Sequence, residues 1–305
     1  MPSSPHVLML FLDGVGIGNN NPEQNPFFAS KLHTFSQLFG GEMPHLRDAR
    51  RSSTVMTMAP INATLGITGL PQSGTGQTSL LTGINASRFI GKHFGPYPYS
   101  TLKPILYEKN IFQQLKLMGK KVFYVNAFPP KYFEYIQTHK NRMSAISMSW
   151  LLSGFALNDH TVLSDGKALS ADITSERWNK LGFPSASILS PQQAGKRLAE
   201  LLHEYDFVLY EYYYTDHVGH SQSMNEAKEL LTALDGLLEG IASAFNYESM
   251  LLIITSDHGN MEDLSIKTHT RNPVPFLSMG KNHSEIAHRV KNLTHVTPAI
   301  VNMLR

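Results

Sequence analysis

The sequence predicts an α/β fold in which a mostly parallel central sheet is covered by helices on both faces. Residues 7–12, 207–214 and 250–255 are largely uninterrupted apolar runs, which is typical of parallel strands buried on both faces. Amphipathic stretches of helical length lie between these runs. An aspartate follows each run within two residues. Open α/β sheets carry their chemistry at the carboxyl ends of the strands, so these aspartates are the first candidates for function.

The segment that follows the first apolar run is predicted to form several short elements. A helix is expected over residues 25–39, where Pro26 suits a first-turn position, and a strand over residues 52–58. Residues 78–82 are expected to form the body of a helix that ends at Gly83. Residues 89–101 are rich in glycine, proline and aromatic residues, which predicts a surface loop.

The rest of the chain alternates amphipathic helices with the remaining apolar runs. A small cap or insertion is expected over residues 139–190, within a single domain that spans residues 1–305. Ser190 followed by Pro191 is a typical helix start. The other predicted elements are helices over 108–118, 129–137, 144–157, 191–205, 224–246 and 294–304, a strand over 121–126, and a loop over 159–172.

Composition excludes several classes of function. Lys plus Arg is 26 and Asp plus Glu is 24, so no general attraction to nucleic acid or anionic membrane is expected. The short basic run 47–51 is interpreted as a solvated loop. No cysteine is present, which excludes thiolate catalysis and disulfides. No apolar stretch is long enough to span a membrane and no basic region precedes the first run, so a soluble, cytoplasmic protein is expected.

The acidic and histidine residues that follow the apolar runs are candidate metal ligands. Asp216 and His220 are four residues apart, which places both on one face of a helical turn. Carboxylate and imidazole ligands without thiolate suit Mn²⁺, Zn²⁺ or Co²⁺. The alternative is a set of ordinary turns with solvated histidines, and this would require three independent coincidences. The candidate ligands are Asp13, Asp216, His220, Asp257, His258 and His269.

Ser73 is a candidate nucleophile because it lies at or just before the start of the helix that ends at Gly83. Backbone N–H groups at a helix start favour a phosphate, and a metal can deprotonate a hydroxyl there. Thr75 and Thr78 are competing hydroxyls, and an ordinary N-cap serine is the alternative for Ser73. The glycines after Asp13 differ in spacing from a dinucleotide-binding fingerprint.

These motifs together resemble the alkaline phosphatase superfamily of two-metal enzymes. The sequence is most similar to the branch that holds cofactor-independent phosphoglycerate mutase and phosphopentomutase. The resemblance spans nearly the whole chain. The matching motifs are DG at Asp13-Gly14, D-x-x-G-H from Asp216 to His220, DHGN-x-E from Asp257 to Glu262, and HT-x-N-x-VP from His269 to Pro275.

The resemblance implies a role for each of these residues. Asp216, His220 and His269 would hold one divalent ion, and Asp13, Ser73, Asp257 and His258 would hold the other, with manganese or zinc expected. A glycine recurs ten positions after the nucleophile in these enzymes, and this spacing selects Ser73, with Thr75 as the fallback. A small phosphorylated substrate is implied, with Arg88 and Arg271 as candidate substrate-binding residues.

The sequence also departs from the phosphoglycerate mutases, which carry a large inserted domain soon after the nucleophile helix. Only residues 139–190 could form a modest cap here, and Gln77 replaces the histidine four residues past the nucleophile. Because transfer between two hydroxyls needs a closed, dry site, the expected function is a phosphohydrolase that works through a phosphoserine. A phosphomutase acting on a sugar or small acid is one alternative. A metal-bound protein without turnover is another.

Overall fold

A seven-stranded sheet forms the centre of the computed structural model, which describes residues 4–139, 142–180, 182 and 187–305. Two further short strands pair with each other outside this sheet. The strands, in chain order, are β1 (His6–Leu12), β2 (Arg51–Ser52), β3 (Met56–Ile61), β4 (Val122–Tyr124), β5 (Asn126–Ala127), β6 (Leu169–Ser170), β7 (Phe207–Tyr212), β8 (Met250–Thr255) and β9 (Val274–Gly280).

The sheet has a parallel half and an antiparallel flank, in the order β2-β3-β9-β8-β1-β7-β4. Strands β8, β1, β7 and β4 are parallel neighbours, whereas β9, β3 and β2 pair antiparallel beyond β8. The predicted α/β fold with a large central sheet is confirmed. The antiparallel flank is an addition that the apolar runs did not indicate.

Helices cover both faces of this sheet, as predicted. The α-helices are α1 (Pro26–Ala29), α2 (His33–Leu38), α3 (Ser73–Thr82), α4 (Ala86–Ile90), α5 (Lys103–Lys109), α6 (Ile111–Leu117), α7 (Pro130–Thr138), α8 (Ala145–Leu152), α9 (His160–Ser164), α10 (Glu176–Lys180), α11 (Pro191–Leu201), α12 (Tyr214–Ser221), α13 (Met224–Ser243), α14 (His283–Arg289) and α15 (Val296–Met303). Short 3-10 turns at Ser100–Leu102 and Leu293–His295 precede α5 and α15. Among the described helices, none combines the length and apolar character that crossing a bilayer requires.

Strand β1 has an uninterrupted apolar sequence because its alternate side chains enter two different cores. Val7, Met9 and Phe11 pack with α3, α6, α8 and α15 on one face. Leu8 and Leu10 pack with α2, α11 and α13 on the other face. All five side chains are fully buried, and this burial on both faces fixes β1 at the centre of the parallel half.

Two of the predicted helices are interrupted where an asparagine or an extended residue intervenes. The helix expected over residues 25–39 is α1 followed by α2, because Ser30 has extended backbone. The helix expected over residues 108–118 breaks at Asn110, which has extended backbone and whose side chain caps α6 through Gln113 N. The helix that ends at Gly83 is confirmed, and Gly83 adopts the left-handed conformation there, with φ of 77°.

The described residues between 139 and 190 contribute to two separate hydrophobic clusters, and the predicted cap stays a prediction. Helix α8 is buried in the main core, where Trp150 packs edge-on against Phe112 at 5.0 Å between ring centroids. The loop expected over 159–172 contains α9 and β6. A separate small cluster forms from Ala127, Leu163, Ala168 and Trp178. Residues 140, 141, 181 and 183–186 of the predicted insertion, and residues 1–3 at the N-terminus, lie outside the described residues.

Candidate metal centre and adjoining cleft

The three ligand-bearing aspartates come together because β8, β1 and β7 are adjacent and parallel. Asp13 follows β1 directly, and Asp257 follows β8 after Ser256. Asp216 lies in the first turn of α12, just beyond β7. Val15 N donates a hydrogen bond to Ser256 Oγ at 2.9 Å, which ties the β1 and β8 loops together. Neighbouring strand ends therefore deliver all three carboxylates to one edge of the sheet.

His258 is the centre of one group of ligand atoms. Its Nε2 atom lies 2.9 Å from Ser73 Oγ, 3.3 Å from Asp13 Oδ1 and 3.6 Å from Asp257 Oδ2. Asp257 and His258 are completely buried, and Asp13 and Ser73 nearly so. The structure thus brings together the four residues that the family resemblance grouped as one site.

Asp216 is the centre of a second group. Its two carboxylate oxygens lie 3.4 Å from His220 Nε2 and 3.5 Å from His269 Nε2. The two Nε2 atoms are 3.2 Å apart. The His269 ring also stacks on His258, with ring centroids 3.9 Å apart and planes at 17°. The second group therefore contacts the first through these two imidazoles.

The histidine hydrogen bonds suit metal coordination. Backbone carbonyls accept from the far nitrogens of two rings: Pro71 O lies 2.8 Å from His269 Nδ1 and Lys267 O lies 2.9 Å from His220 Nδ1. An Nδ1–H that donates to a carbonyl leaves Nε2 as a lone-pair ligand. Two such lone pairs at 3.2 Å repel each other unless a proton or a cation lies between them, so the ring orientations fit a shared metal ion.

The buried carboxylates also favour bound cations at this position. Burial raises the pKa of Asp257 well above its usual range, and the neighbouring Asp13 carboxylate raises it further. Burial alone would lower the pKa of His258, but the charges of Asp257 and Asp13 raise it to about 10. Asp13 Oδ1 and Asp257 Oδ2 are buried without a hydrogen-bond partner among the described residues. Unpaired buried carboxylate oxygens are costly, so the donor set fits divalent cations.

Ser73 is the first residue of α3, after an extended Gln72. Close approaches hold this helix start in place: a side chain added at Gly76 would lie 3.0 Å from Asp257 O, and one added at Gly74 would lie 2.2 Å from Tyr97 O. The competing hydroxyls make internal hydrogen bonds, with Thr75 Oγ1 donating to Gln72 O and Thr78 Oγ1 donating to Gly74 O.

A cleft of about 590 Å³ opens beside the two groups and is lined by Asp13, Ser73 and Asp216. Its basic residues are Arg142, Arg177 and Lys180. The expected substrate-binding residues are elsewhere. Arg88 is exposed on the short helix α4 and Arg271 is exposed with Nη1 donating to Gly69 O at 3.1 Å. Neither lines this cleft, so a role for either in substrate binding stays a prediction.

Sequence reasoning assigned no role to the residues that orient the ligands, although Gln77, Asn260 and Glu262 were noted in its motifs. Gln77 Nε2 donates to Asp13 Oδ2 at 3.4 Å, and its Oε1 accepts from Ala145 N. Asn260 Nδ2 donates to Asp216 Oδ1 at 2.6 Å. Glu262 is buried and joins several loops. Glu211, a buried carboxyl within the apolar run of β7, lines the cleft. An acid inside such a run is the signal that could have identified it.

Comparisons with known proteins agree with this geometry. The family model described as "Metalloenzyme superfamily" matches residues 5–305. A 2,3-bisphosphoglycerate-independent phosphoglycerate mutase of Ehrlichia canis is 30% identical over 148 residues, which are 42% of this chain and 29% of that protein. The corresponding Legionella pneumophila mutase is 23% identical over 238 residues, 72% of this chain and 44% of that protein. The chain therefore spans well under two thirds of these relatives.

The solved structures support the fold. Alkaline phosphatase from the Antarctic bacterium TAB5 is similar with a TM-score of 0.56 and 12% identity, over 100% of this chain and 99% of that one. The alkaline-phosphatase-like fold expected from the motifs is thereby confirmed.

Proposed function

The chain belongs to the metalloenzyme superfamily, and from this premise we propose that it is a two-metal-dependent phosphohydrolase that works through a phosphoserine at residue 73. One observation carries the proposal. The Ser73 hydroxyl starts a helix and lies 2.9 Å from His258 Nε2, within the cluster of buried carboxylates and imidazoles. A hydroxyl at such a position can attack a phosphoryl group that the same cluster binds.

The ligand assignment is part of the proposal. Asp216, His220 and His269 would hold one divalent ion, and Asp13, Ser73, Asp257 and His258 the other, with manganese or zinc as the ions. Each group offers carboxylate oxygens and imidazole nitrogens, which are ligands that manganese and zinc accept. When bound, two such ions supply positive charge to the attacking and leaving oxygens and to the phosphoryl group.

The chain's own residues then account for the transfer. Ser73 Oγ gives its proton to water and forms a bond to phosphorus, while the bond from phosphorus to the leaving oxygen breaks and that oxygen takes up a proton from water. A water molecule next attacks the phosphoserine, which releases inorganic phosphate and restores the hydroxyl. Gln77 and Asn260 hold the Asp13 and Asp216 carboxylates by the hydrogen bonds described above.

The test is hydrolysis of an aryl phosphate by metal-stripped protein to which Mn²⁺, Zn²⁺, Co²⁺ or Mg²⁺ is returned in turn. We expect turnover only with added metal, and we expect Ser73→Ala to abolish both turnover and the trapped phosphoenzyme while retaining bound metal. Thr78→Val, in the same helix, is the matched control and should keep the phosphoenzyme. Full turnover in Ser73→Ala would refute the assignment, and Thr75 would be the next residue to test.

A phosphomutase is the second candidate, favoured by the names of the curated relatives. It would transfer the phosphoryl group from Ser73 to a second hydroxyl instead of to water. Release of inorganic phosphate that equals substrate consumption distinguishes the hydrolase from this alternative. Full metal loading without either reaction would favour a binding protein.

A further inference from the structure

The cleft beside the candidate metal centre has an aromatic lining that phosphoryl transfer does not require. One group of rings comes from α7 and the segments before it: Tyr97, Phe128, Tyr132 and Tyr135. Tyr132 and Tyr135 are three residues apart and therefore share a face of α7. Helix α7 contains no fully buried residue. Its Tyr132 is partly buried against the edge of the main core and also lines the cleft.

A second group of rings lines the same cleft from other elements. Tyr213 and Tyr214 lie at the start of α12, with ring centroids 4.8 Å apart, and Trp178 lies in α10. Arg177 lies over the Tyr214 ring at 4.2 Å from its centroid. The aromatic groups therefore reach the cleft from α7, α10 and α12, and at least one ring already binds a planar cation.

The hydroxyl groups of these tyrosines have partners, so they offer a ligand mainly the ring faces that are not already stacked. One face of Tyr135 is stacked on His139, with ring centroids 4.4 Å apart. Burial raises the pKa of Tyr97, and a hydrogen bond with Tyr135 raises it further. Burial raises the pKa of Tyr213 beyond the usual tyrosine range, and its neighbour Tyr214 contributes through charge and a hydrogen bond. Phe128 stacks on Tyr132, with ring centroids 4.4 Å apart and planes at 23°.

Size and charge narrow the choice of ligand. A cleft of about 590 Å³ lies in the range of sites that enclose ligands of drug size, and it is larger than a three-carbon phosphate needs. The cleft is lined by three basic residues, Arg142, Arg177 and Lys180, and, apart from the candidate metal ligands, by two acidic ones, Asp172 and Glu211. The basic side chains offer an anionic group partners within the cleft. Flat rings stack favourably on aromatic side chains, and a nucleobase gains from each such contact.

From these observations we propose that the cleft binds a phosphate monoester whose alcohol carries a planar aromatic ring, of the size of a nucleoside monophosphate. This inference rests on the proposed function for the identity of the reacting group. The phosphate would lie at Ser73 and the ring among the tyrosines. The protein would select its substrate by the aromatic ring of the ligand. A site built for a small acid or a bare sugar phosphate would not need the aromatic lining.

The test compares adenosine 5′-monophosphate with ribose 5-phosphate in the metal-loaded protein, because both carry the phosphate on the primary 5-hydroxyl of ribose and they differ in the base. We expect kcat/KM to be higher for adenosine 5′-monophosphate by about tenfold or more, mostly through KM. Tyr135→Leu and Tyr132→Leu should reduce this ratio several-fold. Tyr107→Leu is the matched control, because Tyr107 is exposed on α5 and does not line the cleft. Equal kcat/KM for the two substrates, or a ratio unchanged in both cleft variants, would overturn the inference.

Binding separates this inference from the proposed function. If the metal-loaded protein turns over no phosphate ester, the proposed hydrolase is refuted and the aromatic site is tested by titration alone. Trp178 lines the cleft, and the chain has two tryptophans, so intrinsic fluorescence reports occupancy. Quenching by adenosine 5′-monophosphate at a concentration at least tenfold below that needed for ribose 5-phosphate would support the aromatic site. Equal concentrations would refute it.

Discussion

Replacement of Glu262 tests whether one buried carboxylate holds the metal-binding loops together. Glu262 Oε2 accepts from Gly16 N at 2.8 Å and from Asn260 N at 2.7 Å. Its Oε1 accepts from Thr270 Oγ1, and from Asn272 Nδ2 at 3.0 Å. The loops joined in this way follow β1 and β8 and precede β9, and they carry Asp13, His258 and His269.

The stability that each variant should lose follows from the buried hydrogen-bonding groups that it leaves without a partner. Glu262→Ala leaves the Gly16 and Asn260 N–H groups buried without an acceptor, and each such group costs about 1–3 kcal/mol. The free energy of unfolding should therefore fall by about 2–6 kcal/mol. Glu262→Gln retains one oxygen for the two N–H groups, while Thr270 and the Asn272 amide can reorient to accept from the new NH₂. We expect this variant to lose about 1–2 kcal/mol.

The assay is urea denaturation of metal-free protein, together with measurement of zinc affinity by competition with a chelator. Glu262→Ala should weaken zinc binding by tenfold or more, and Glu262→Gln should recover most of the stability and part of the affinity. Glu229→Ala is the matched control, because Glu229 is exposed on α13. An unchanged urea midpoint for Glu262→Ala, or wild-type zinc affinity in a clearly destabilised Glu262→Ala protein, would refute the reasoning.

Two further predictions concern metal and pH. Because the proposed sites exist only in the folded protein, Mn²⁺ or Zn²⁺ at about 100 times its Kd should stabilise the fold by about 2.7 kcal/mol per ion. A Tm measured by calorimetry that does not change when metal is added would contradict this. Burial raises the pKa of Glu211 to about 7, although the Tyr124 hydroxyl opposes this, and the Asp13 charge adds to it. A folded-state pKa above the unfolded value near 4.5 gives a stabilising contribution that is full at acid pH and lost as pH rises through about 7. Metal-free wild type should thus lose up to about 3 kcal/mol more than Glu211→Gln between pH 5 and pH 8 in urea titrations; parallel curves for the two proteins would show that Glu211 does not titrate in this way.

The sequence predicted the parallel half of the sheet because burial on both faces imposes a continuous apolar run, as in β1 and β8. The same criterion missed β9, where Pro275 and Ser278 interrupt the apolar sequence. Strand β9 forms because it pairs antiparallel with both β8 and β3. In its pair with β3, Pro275 lies opposite Pro60. These are long-range contacts, and local periodicity contains no information about them.

The positions of the candidate ligands could be predicted because they follow buried strands, whereas the residues that line the cleft could not be predicted. Asp13 and Asp257 follow strands whose direction and burial are fixed by their own sequence. Arg142 and Arg177 reach the cleft through the path of residues 139–190, where several short helices have weak periodicity. A basic residue can be assigned to a substrate site only when the path of its loop is known, and Arg88 and Arg271 were assigned without that path.

The order of three strands explains why two metal sites can form side by side. Strand β1 lies between β8 and β7, so the segment that carries Asp13 leaves the sheet between those that carry Asp257 and Asp216, and neighbouring strands lie about 4.8 Å apart. This spacing is close to the separation of about 4 Å at which two ions clamp a phosphoryl group. The histidines come instead from α12 and from the loops after β8. The strand order therefore brings the two groups of candidate ligands together, and the loops held by Glu262 would set the geometry of each proposed site.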